Sequence, residues 1–273
     1  MNSQTWLVVE SDRRSVAKRV APALVADLER GCEVAARLDR PGLRTGRPIP
    51  TRRGDLLVAE EGLALLEFVP GEELTGVDDE DQRRIAETLC RAHVAGGSAA
   101  ETGLGAFRDI LPSPPRTRAE GAGLAAVVER ALAEVDDLTL TWSILHTDPA
   151  PEAFRFDSRT GATGLIDWTG ARRGPVLYDV ASAVMYLGGP DRASTFLEVY
   201  AAHDVVPRDE LRHLPALRRL RWAVQATYFA ERLADRDLTG VPSQAANRHG
   251  LEAAMRGLAE LGAECWPQPG RDT

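Results

Sequence analysis

The sequence contains little cysteine, no long apolar run and almost no lysine. Its three cysteines, Cys32, Cys90 and Cys265, are far apart, and no two have the spacing of a zinc site. No stretch of eighteen or more apolar residues is present, and the opening MNSQTWLVVE predicts a strand where a signal peptide would have its apolar region. We therefore expect reduced thiols, no membrane span and a cytoplasmic protein.

The charge balance argues against nucleic acid as a partner. Asp and Glu total 41 and Lys and Arg total 33, which gives a net charge of -8. Proteins that bind nucleic acid carry basic surfaces, because much of their affinity comes from phosphate contacts. With 273 residues and 44% hydrophobic content, the chain is long enough for one large core or two small ones.

Lysine occurs once. Of the 33 basic residues, 33 − 1 = 32 are arginines, and the single lysine, Lys18, lies in the segment SVAKRV, whose β-branched and apolar residues predict a strand. A compact ammonium reaches between phosphate oxygens in a cleft that the broader guanidinium fits less well. Lys18 is therefore a candidate phosphate-binding residue, and the alternative is an ordinary surface lysine.

Two aspartates stand at chain reversals beside short apolar runs. Asp148 follows Ile144, Leu145 and His146, whereas Asp167 ends the run Gly164–Ile166. Phosphoryl transfer needs an oriented nucleophile and cations that absorb negative charge, and little covalent help from the protein. Two carboxylates with separate tasks meet that need, since one can face a hydroxyl nucleophile and the other a magnesium ion.

The order of residues around these aspartates resembles the aminoglycoside phosphotransferase and choline kinase-like family, whose pattern reads roughly H-G-D-x-x-x-x-N, then I-D-W, then G-D-P-x-x-D-L-A. The matching residues are His146, Asp148, Ile166, Asp167, Trp168, Gly174, Asp179 and Ala181. The resemblance implies that Asp148 accepts or orients the hydroxyl proton of the acceptor. It also implies that Asp167 holds Mg²⁺ on the phosphates of ATP or GTP. His146 and Asp179 would be structural, with Asp179 bracing the catalytic loop.

This sequence departs from the family pattern at two positions. The asparagine that is the family's second magnesium ligand is replaced by Ala153, which cannot bind a metal. Glu152 precedes it, and a carboxylate is a hard ligand that could take over this role; the alternative is a solvated loop glutamate. Pro175 replaces the aspartate of G-D-P and keeps the turn.

The segment before residue 70 resembles the family's small lobe, in which the strand lysine contacts the nucleotide's α and β phosphates. Apolar residues at steps of three and four predict a helix over Pro22–Leu38. The family's spacing puts the glutamate partner of the lysine at Gly31, so Glu29 and Glu33 are both candidates, and we favour Glu33. Two strands, DLLVA and LALLEFV, lead into a hinge-like segment, LLEFVPGEEL. There Glu67 and Val69 would bind adenine through their backbone groups.

The part of the chain before Lys18 is short for this family. TWLVVES would supply the family's second strand, and Met1–Gln4 is all that remains for the loop over the phosphates, so we expect this chain to lack the family's first strand. An exposed sheet edge is a ready site for strand addition. We therefore expect weak nucleotide binding by the small lobe, or a protein partner or dimer that completes the sheet.

The rest of the sequence predicts helices at Asp78–Val94 and, approximately, at residues 116–136, 179–187, 190–203, 208–237 and 243–262. His93, at the end of the first of these, is interpreted as a packing or capping residue. The resemblance implies that the aromatic helix near residues 217–233 lines the acceptor pocket. Gln225, Tyr228 and Glu231 are therefore candidate substrate contacts, although an aromatic helix can equally be core.

Together these features predict an α+β, two-lobe protein kinase-like fold. Residues 1–70 would form the small nucleotide-binding lobe, 71–265 the large helical catalytic and substrate lobe, and 266–273 a loose tail. The predicted activity is ATP/Mg-dependent transfer of the γ-phosphoryl group to a hydroxyl of a small molecule. Two alternatives remain: a kinase subunit that phosphorylates Ser or Thr of a precursor peptide with a partner lyase, and a pseudokinase that acts as a binding or scaffold protein.

Overall fold

The fold combines small antiparallel sheets with helices. It is seen in a computed structural model, which describes residues 3–40, 42–110 and 120–262. The strands are β1 (Ser3–Glu10), β2 (Arg13–Val20), β3 (Leu63–Glu67), β4 (Glu72–Glu73), β5 (Ala99–Thr102), β6 (Thr139–Leu145), β7 (Phe154–Asp157), β8 (Ala162–Leu165) and β9 (Arg172–Pro175). The helices are α1 (Val25–Leu38), α2 (Asp79–Gly96), α3 (Glu120–Asp136), α4 (Val176–Tyr186), α5 (Ser194–Ala202), α6 (Leu214–Ala234) and α7 (Gln244–Glu260). The predicted α+β class is confirmed.

Strands β1, β2 and β3 form an antiparallel sheet with Lys18 on the middle strand, opposite Thr5 of β1 and Ala64 of β3. Cross-strand partners point to the same face, so Lys18 shares a face with Ala64 and, two residues along, with Val20. Helix α1 covers that face and forms one apolar cluster with it: Val20, Leu28, Cys32, Leu57 and Ala64. Lys18 is consequently only 4% exposed.

Helix α1 follows a 3-10 turn at Pro22–Leu24 and ends at Leu38, as its apolar periodicity predicts. Its buried residues recur at steps of three and four: Leu28, Gly31, Cys32, Ala35 and Leu38. A Cβ at Gly31 would lie 2.5 Å from the carbonyl oxygen of Trp168. Glycine at this position therefore allows α1 to contact the turn that follows Asp167.

The prediction of a strand at DLLVA is wrong. Residues 55–59 form no strand; Val58 makes an isolated bridge to Leu63, and a 3-10 turn at Ala59–Glu61 reverses the chain between them. The second neighbour of β3 is an earlier segment: the amide of Ile49 donates to Leu65 O (2.7 Å) and that of Glu67 donates to Arg47 O (2.9 Å). The apolar residues of DLLVA serve the core instead, since Leu57 belongs to the cluster under α1.

The remaining helices match the predicted segments, with shifted ends. Arg208–His213 is a 3-10 turn, and α6 begins only at Leu214, where a proline in its first turn suits a helix start. Helix α3 begins at Glu120, where the description of that region resumes. Cys265 and the predicted tail lie outside the described residues. Within the described ranges, no helix combines the length and apolar character needed to cross a membrane.

The chain divides into two compact units. The first contains residues up to 100 together with 140–211, which include β1–β3, α1 and the segments that carry Asp148 and Asp167. The second contains residues 101–139 and those from 212 onward, which include α3, α6 and α7. These units do not follow the predicted lobe boundary at residue 70, because the N-terminal sheet groups with the catalytic segments. That boundary stays a prediction.

Candidate active site

The loop between β6 and the turn at Pro151 carries Asp148 and is fixed by one buried carboxylate. Asp179, on α4, is fully buried, and its two oxygens accept the backbone N–H of His146 (2.7 Å) and that of Thr147 (2.8 Å). A buried charge is tolerated only where hydrogen bonds satisfy it. The sequence prediction that Asp179 braces this loop corresponds to these contacts.

His93 completes the environment of Asp179. Its Nε2 lies 3.1 Å from Asp179 Oδ2, and its Nδ1 lies 2.8 Å from the hydroxyl of Tyr200. Burial, followed by the charges of neighbouring acidic groups, raises the pKa of Tyr200 well above its usual value, so the phenol keeps its proton and can donate it to Nδ1. Nδ1 is then the acceptor, and the N–H group at Nε2 donates to Asp179 Oδ2. The sequence interpretation of His93 as packing or capping missed this network.

Thr147 has a backbone conformation that is unusual for its type. Its φ is +73°, although a β-branched residue rarely adopts a positive φ. Its N–H donates to Asp179, and its hydroxyl donates to Gly170 O at 3.1 Å. A Cβ at Gly170 would lie 2.4 Å from the Thr147 hydroxyl, so glycine is required there for the contact. The strained residue directly precedes Asp148 and sets the direction in which that side chain leaves the loop.

Asp148 is exposed, and its carboxylate accepts a short hydrogen bond from the hydroxyl of Tyr186. Tyr186 is the last residue of α4 and stands seven positions after Asp179, so the two side chains lie on nearly the same face of that helix. Helix α4 thereby contacts the loop twice: Asp179 binds its backbone, and Tyr186 binds the carboxylate of Asp148. Sequence reasoning did not single out Tyr186, although its spacing from Asp179 was a visible signal.

Asp167 follows β8 with a φ of +69° and forms an ion pair with Lys18. Its side chain is 59% exposed, whereas that of Lys18 is 5% exposed. The surrounding protein atoms act to raise the pKa of Asp167, but the Lys18 ammonium outweighs them, with smaller contributions from His146 and Thr169, and the pKa is lowered. Asp167 is therefore an anion at neutral pH, with one side open to solvent.

His146 connects the two aspartate segments. Its Nε2 lies 2.8 Å from the carbonyl oxygen of Ile166. Its ring packs edge-on against the ring of Trp168, with the two ring centroids 4.9 Å apart. Ile166 and Trp168 flank Asp167, while His146 itself begins the loop that carries Asp148. The structure thus brings Lys18, Asp148, Asp167, His146 and Asp179 into one compact unit.

The residue pattern that produces this arrangement extends over most of the chain. Residues 1–222 match the model of the phosphotransferase enzyme family, APH. The chain belongs to this family. It is a phosphotransferase, as the order of its motifs predicted.

Solved structures with the same fold include three phosphotransferases. Choline kinase LicA from Streptococcus pneumoniae has 17% identity and a TM-score of 0.69, with 94% of this chain and 90% of that chain covered. Amicoumacin kinase hAmiN, in complex with AMP-PNP, Ca²⁺ and Ami, has 12% identity and a TM-score of 0.69, covering 98% and 87%. Macrolide 2'-phosphotransferase MphH from Brachybacterium faecium has 15% identity and a TM-score of 0.59, covering 98% and 90%. No curated protein matches the chain.

The predicted partner of Lys18 in this phosphotransferase is wrong. Glu33 and Glu29 are both exposed on α1, and neither forms an ion pair with Lys18. The helix face toward Lys18 instead carries small and apolar residues, and Gly31 is so close to the turn after Asp167 that a carboxylate side chain would not fit there. Lys18 pairs with Asp167 instead.

The pocket beside Lys18 is small, with a volume of about 20 Å³, and it is partly open to solvent. It is lined by Lys18, Leu28, Gly31, Cys32, Ala35, Thr45, Gly46, Leu66, Asp167, Trp168 and Thr169. Burial raises the pKa of Cys32 to about 11, and the Lys18 ammonium only partly offsets this effect. Cys32 is therefore a neutral thiol at pH 7 and offers the lysine no negative charge.

The hinge residues have contacts that the sequence did not predict. The carboxylate of Glu67 accepts from Arg44 and Arg47, each at 2.8 Å, and holds the segment beside β3 in place. Val69 is buried, with a side-chain methyl 3.5 Å from the position of a Cβ on Gly46. The Glu67 carboxylate is thus structural, and adenine binding by the backbone of Glu67 and Val69 stays a prediction.

The second predicted metal ligand, Glu152, lies in a 3-10 turn at Pro151–Ala153 and is exposed. Ala153 is buried, and its carbonyl oxygen accepts from the amide of Ile166 at 2.9 Å, so the backbone at the family's asparagine position is tied to the Asp167 segment. Across the described ranges, no group of three or more His, Cys, Asp or Glu residues could hold a metal ion. Metal binding by Glu152 stays a prediction.

The three predicted substrate residues lie on α6, in the other compact unit. Gln225 accepts from Arg221 at 2.6 Å, and the hydroxyl of Tyr228 accepts from Arg232 at 3.0 Å. Burial, with a contribution from the Asp235 charge, raises the pKa of Glu231. Arginines of the same helix therefore already hold Gln225 and Tyr228, and acceptor binding by these three residues stays a prediction.

Proposed function

We propose that this chain transfers the γ-phosphoryl group of ATP or GTP to a hydroxyl of a small molecule, with Mg²⁺. The observation that carries the proposal is the set of contacts that hold the two aspartate segments. Asp179 binds the loop of Asp148, and His146 binds the segment of Asp167. Asp167 in turn pairs with the single lysine. The names of similar structures support it, since they include a choline kinase, a macrolide 2'-phosphotransferase and a kinase with AMP-PNP and Ca²⁺.

In this proposal, Asp148 would receive the proton of the acceptor hydroxyl. It is exposed, it directly follows the strained Thr147, and it already accepts a hydroxyl hydrogen bond from Tyr186. The phenol shows where a hydroxyl donor reaches this carboxylate. An acceptor alcohol would bind beside Tyr186 or replace it there, with its proton directed at Asp148 and its oxygen free to attack phosphorus.

The residues around Asp167 fit a metal-bound nucleotide. Mg²⁺ at nucleotide sites is typically bound by one or two carboxylates together with phosphate oxygens and water. Asp167 offers one ionised, 59% exposed carboxylate, and Lys18 supplies a cation next to it. When bound, Mg²⁺ would neutralise charge on the phosphates. Lys18 would then exchange part of its contact with Asp167 for phosphate oxygens.

Nucleotide binding with and without Mg²⁺, measured by calorimetry, tests the proposal. We expect affinity for ATP or GTP to rise at least about tenfold with Mg²⁺, because Asp167 gains an ion that it shares with the phosphates. Release of nucleoside diphosphate upon addition of alcohols such as choline, aminoglycosides or macrolides then identifies the acceptor class. Equal affinity with and without the ion, and no turnover with any alcohol, would contradict the proposal.

A scaffold protein is the second candidate, and Ala153 favours it. Alanine at the family's asparagine position removes one ligand, and Glu152 is exposed on the turn. Such a protein would bind nucleotide without Mg²⁺ or not at all. The same calorimetric experiment distinguishes the two functions.

Lys18→Arg separates a phosphate-binding lysine from a structural cation. The arginine side chain has two more heavy atoms than the lysine side chain, and the pocket beside residue 18 offers only about 20 Å³. We expect nucleotide affinity to fall by about 10- to 100-fold while the charge is kept. Thermal melting checks that the variant folds, and Arg19→Lys, at an exposed neighbouring position, is the matched control. Unchanged affinity of Lys18→Arg would remove Lys18 from the nucleotide site.

A further inference from the structure

Strand β1 exposes four consecutive large apolar residues. Trp6 is 48% exposed, Leu7 57%, Val8 37% and Val9 63%. Among the described strands, β1 pairs with β2 alone, so its other edge presents unpaired N–H and C=O groups. Edge strands of monomeric proteins usually carry charges or proline that prevent pairing with another chain, and this edge has neither along Trp6–Val9.

The apolar residues lie on both faces of the strand. Leu7 is opposite Val16, which places it on the face of Lys18, whereas Trp6 is opposite Ala17, which is in turn opposite Leu65 on β3. Leu65 is itself 37% exposed, so Trp6, Ala17 and Leu65 form an apolar row across the other face. Apolar side chains on both faces are typical of strands inside a sheet. The edge of β1 therefore has the composition of an interior strand.

We propose that β1 pairs with the β1 strand of a second copy of this chain, and that the two three-stranded sheets join into one antiparallel sheet of six strands. A two-fold axis perpendicular to the sheet pairs residues of the same face. With the axis at Leu7, Trp6 is opposite the partner's Val8, and Thr5 is opposite the partner's Val9. Every apolar side chain of the strand then gains a cross-strand neighbour.

The charges favour a second copy as the occupant. Glu10 is the only charged residue of β1, and in this register it is opposite the partner's Gln4. In its own sheet Glu10 is opposite Arg13, and Gln4 is opposite Arg19. The row across the joined sheets therefore reads Arg13, Glu10, the partner's Gln4 and the partner's Arg19, with no like charges opposite each other. Pairing between two copies thus gives the unpaired N–H and C=O groups of β1 hydrogen-bond partners and places no like charges opposite each other.

Light scattering and sedimentation at about 1 to 100 μM test this proposal. We expect the wild-type protein to be a dimer at the upper end of that range. Leu7→Lys places two like charges at the axis and should weaken dimerisation at least about 100-fold. Val77→Lys is the matched control, since Val77 is 85% exposed and lies outside β1. A wild-type monomer throughout the range, or a dimer that persists in Leu7→Lys, would overturn the proposal.

Cross-linking tests the register. Antiparallel partners have Cα atoms about 4.5 to 5.5 Å apart, which suits a disulfide. Leu7→Cys should form an intermolecular disulfide when oxidised glutathione accepts the electrons of the two thiols, whereas Val77→Cys should not. Cys32 and Cys90 are buried and do not compete, and both variants are made in a Cys265→Ala background so that the third cysteine cannot cross-link. A thermal melt of each variant verifies folding. Equal cross-linking of both variants would contradict pairing through Leu7.

Discussion

Asp148→Asn is expected to lower kcat by about 10²- to 10⁴-fold while nucleotide affinity stays within about threefold. The carboxamide of asparagine keeps the shape of the side chain but cannot take up the proton of the substrate hydroxyl. The loop should not move, because its position depends on the backbone contacts of Asp179 to His146 and Thr147. Nucleoside diphosphate release measures kcat, and calorimetry measures affinity.

Two further variants give this experiment its controls. Asp191→Asn makes the same chemical change at an exposed position and should leave kcat unchanged. Tyr186→Phe keeps the Asp148 carboxylate and removes only the phenol that donates to it. One hydrogen bond is worth about 1 kcal/mol, so we expect kcat to change by no more than about tenfold in Tyr186→Phe. If Asp148→Asn kept kcat within about threefold, Asp148 would not be the proton acceptor.

Asp167→Asn is expected to abolish the strengthening of nucleotide binding by Mg²⁺. The substitution removes the negative charge of the carboxylate that pairs with Lys18 and leaves a neutral amide, a much weaker magnesium ligand. Without Mg²⁺ the affinity should not fall, because Lys18 loses its competing partner and remains available to the phosphates. Calorimetric titration with ATP or GTP, with and without Mg²⁺, measures both quantities.

Glu152→Gln is the comparison for Asp167→Asn. If Glu152 is only a solvated loop residue, the Mg²⁺ concentration for half-maximal effect should change by less than about threefold. An increase of about 10- to 100-fold would establish Glu152 as a supporting ligand in place of the missing asparagine. If Asp167→Asn responded to Mg²⁺ as the wild-type protein does, the metal would not bind at Asp167.

The partner of Lys18 shows why part of the site could not be predicted from the sequence. Helical periodicity placed Glu29 and Glu33 on nearly the same side of α1, but it did not say which side faces the lysine. That depends on how closely the helix approaches the turn at Trp168, and Gly31 decides this distance. Likewise, the apolar segment DLLVA had the composition of a strand, yet β3 takes residues 47–49 as its neighbour.

The sequence by itself determined the family and the α+β fold and singled out two aspartates and one lysine as candidates, because these depend on residue order and on local periodicity. Only the tertiary structure decided that Lys18 pairs with Asp167, that His93 and Tyr200 support Asp179, and that Tyr186 contacts Asp148. Each of these contacts joins residues at least 38 positions apart in the chain. Their formation depends on the packing of whole elements, which the local pattern of a sequence does not encode.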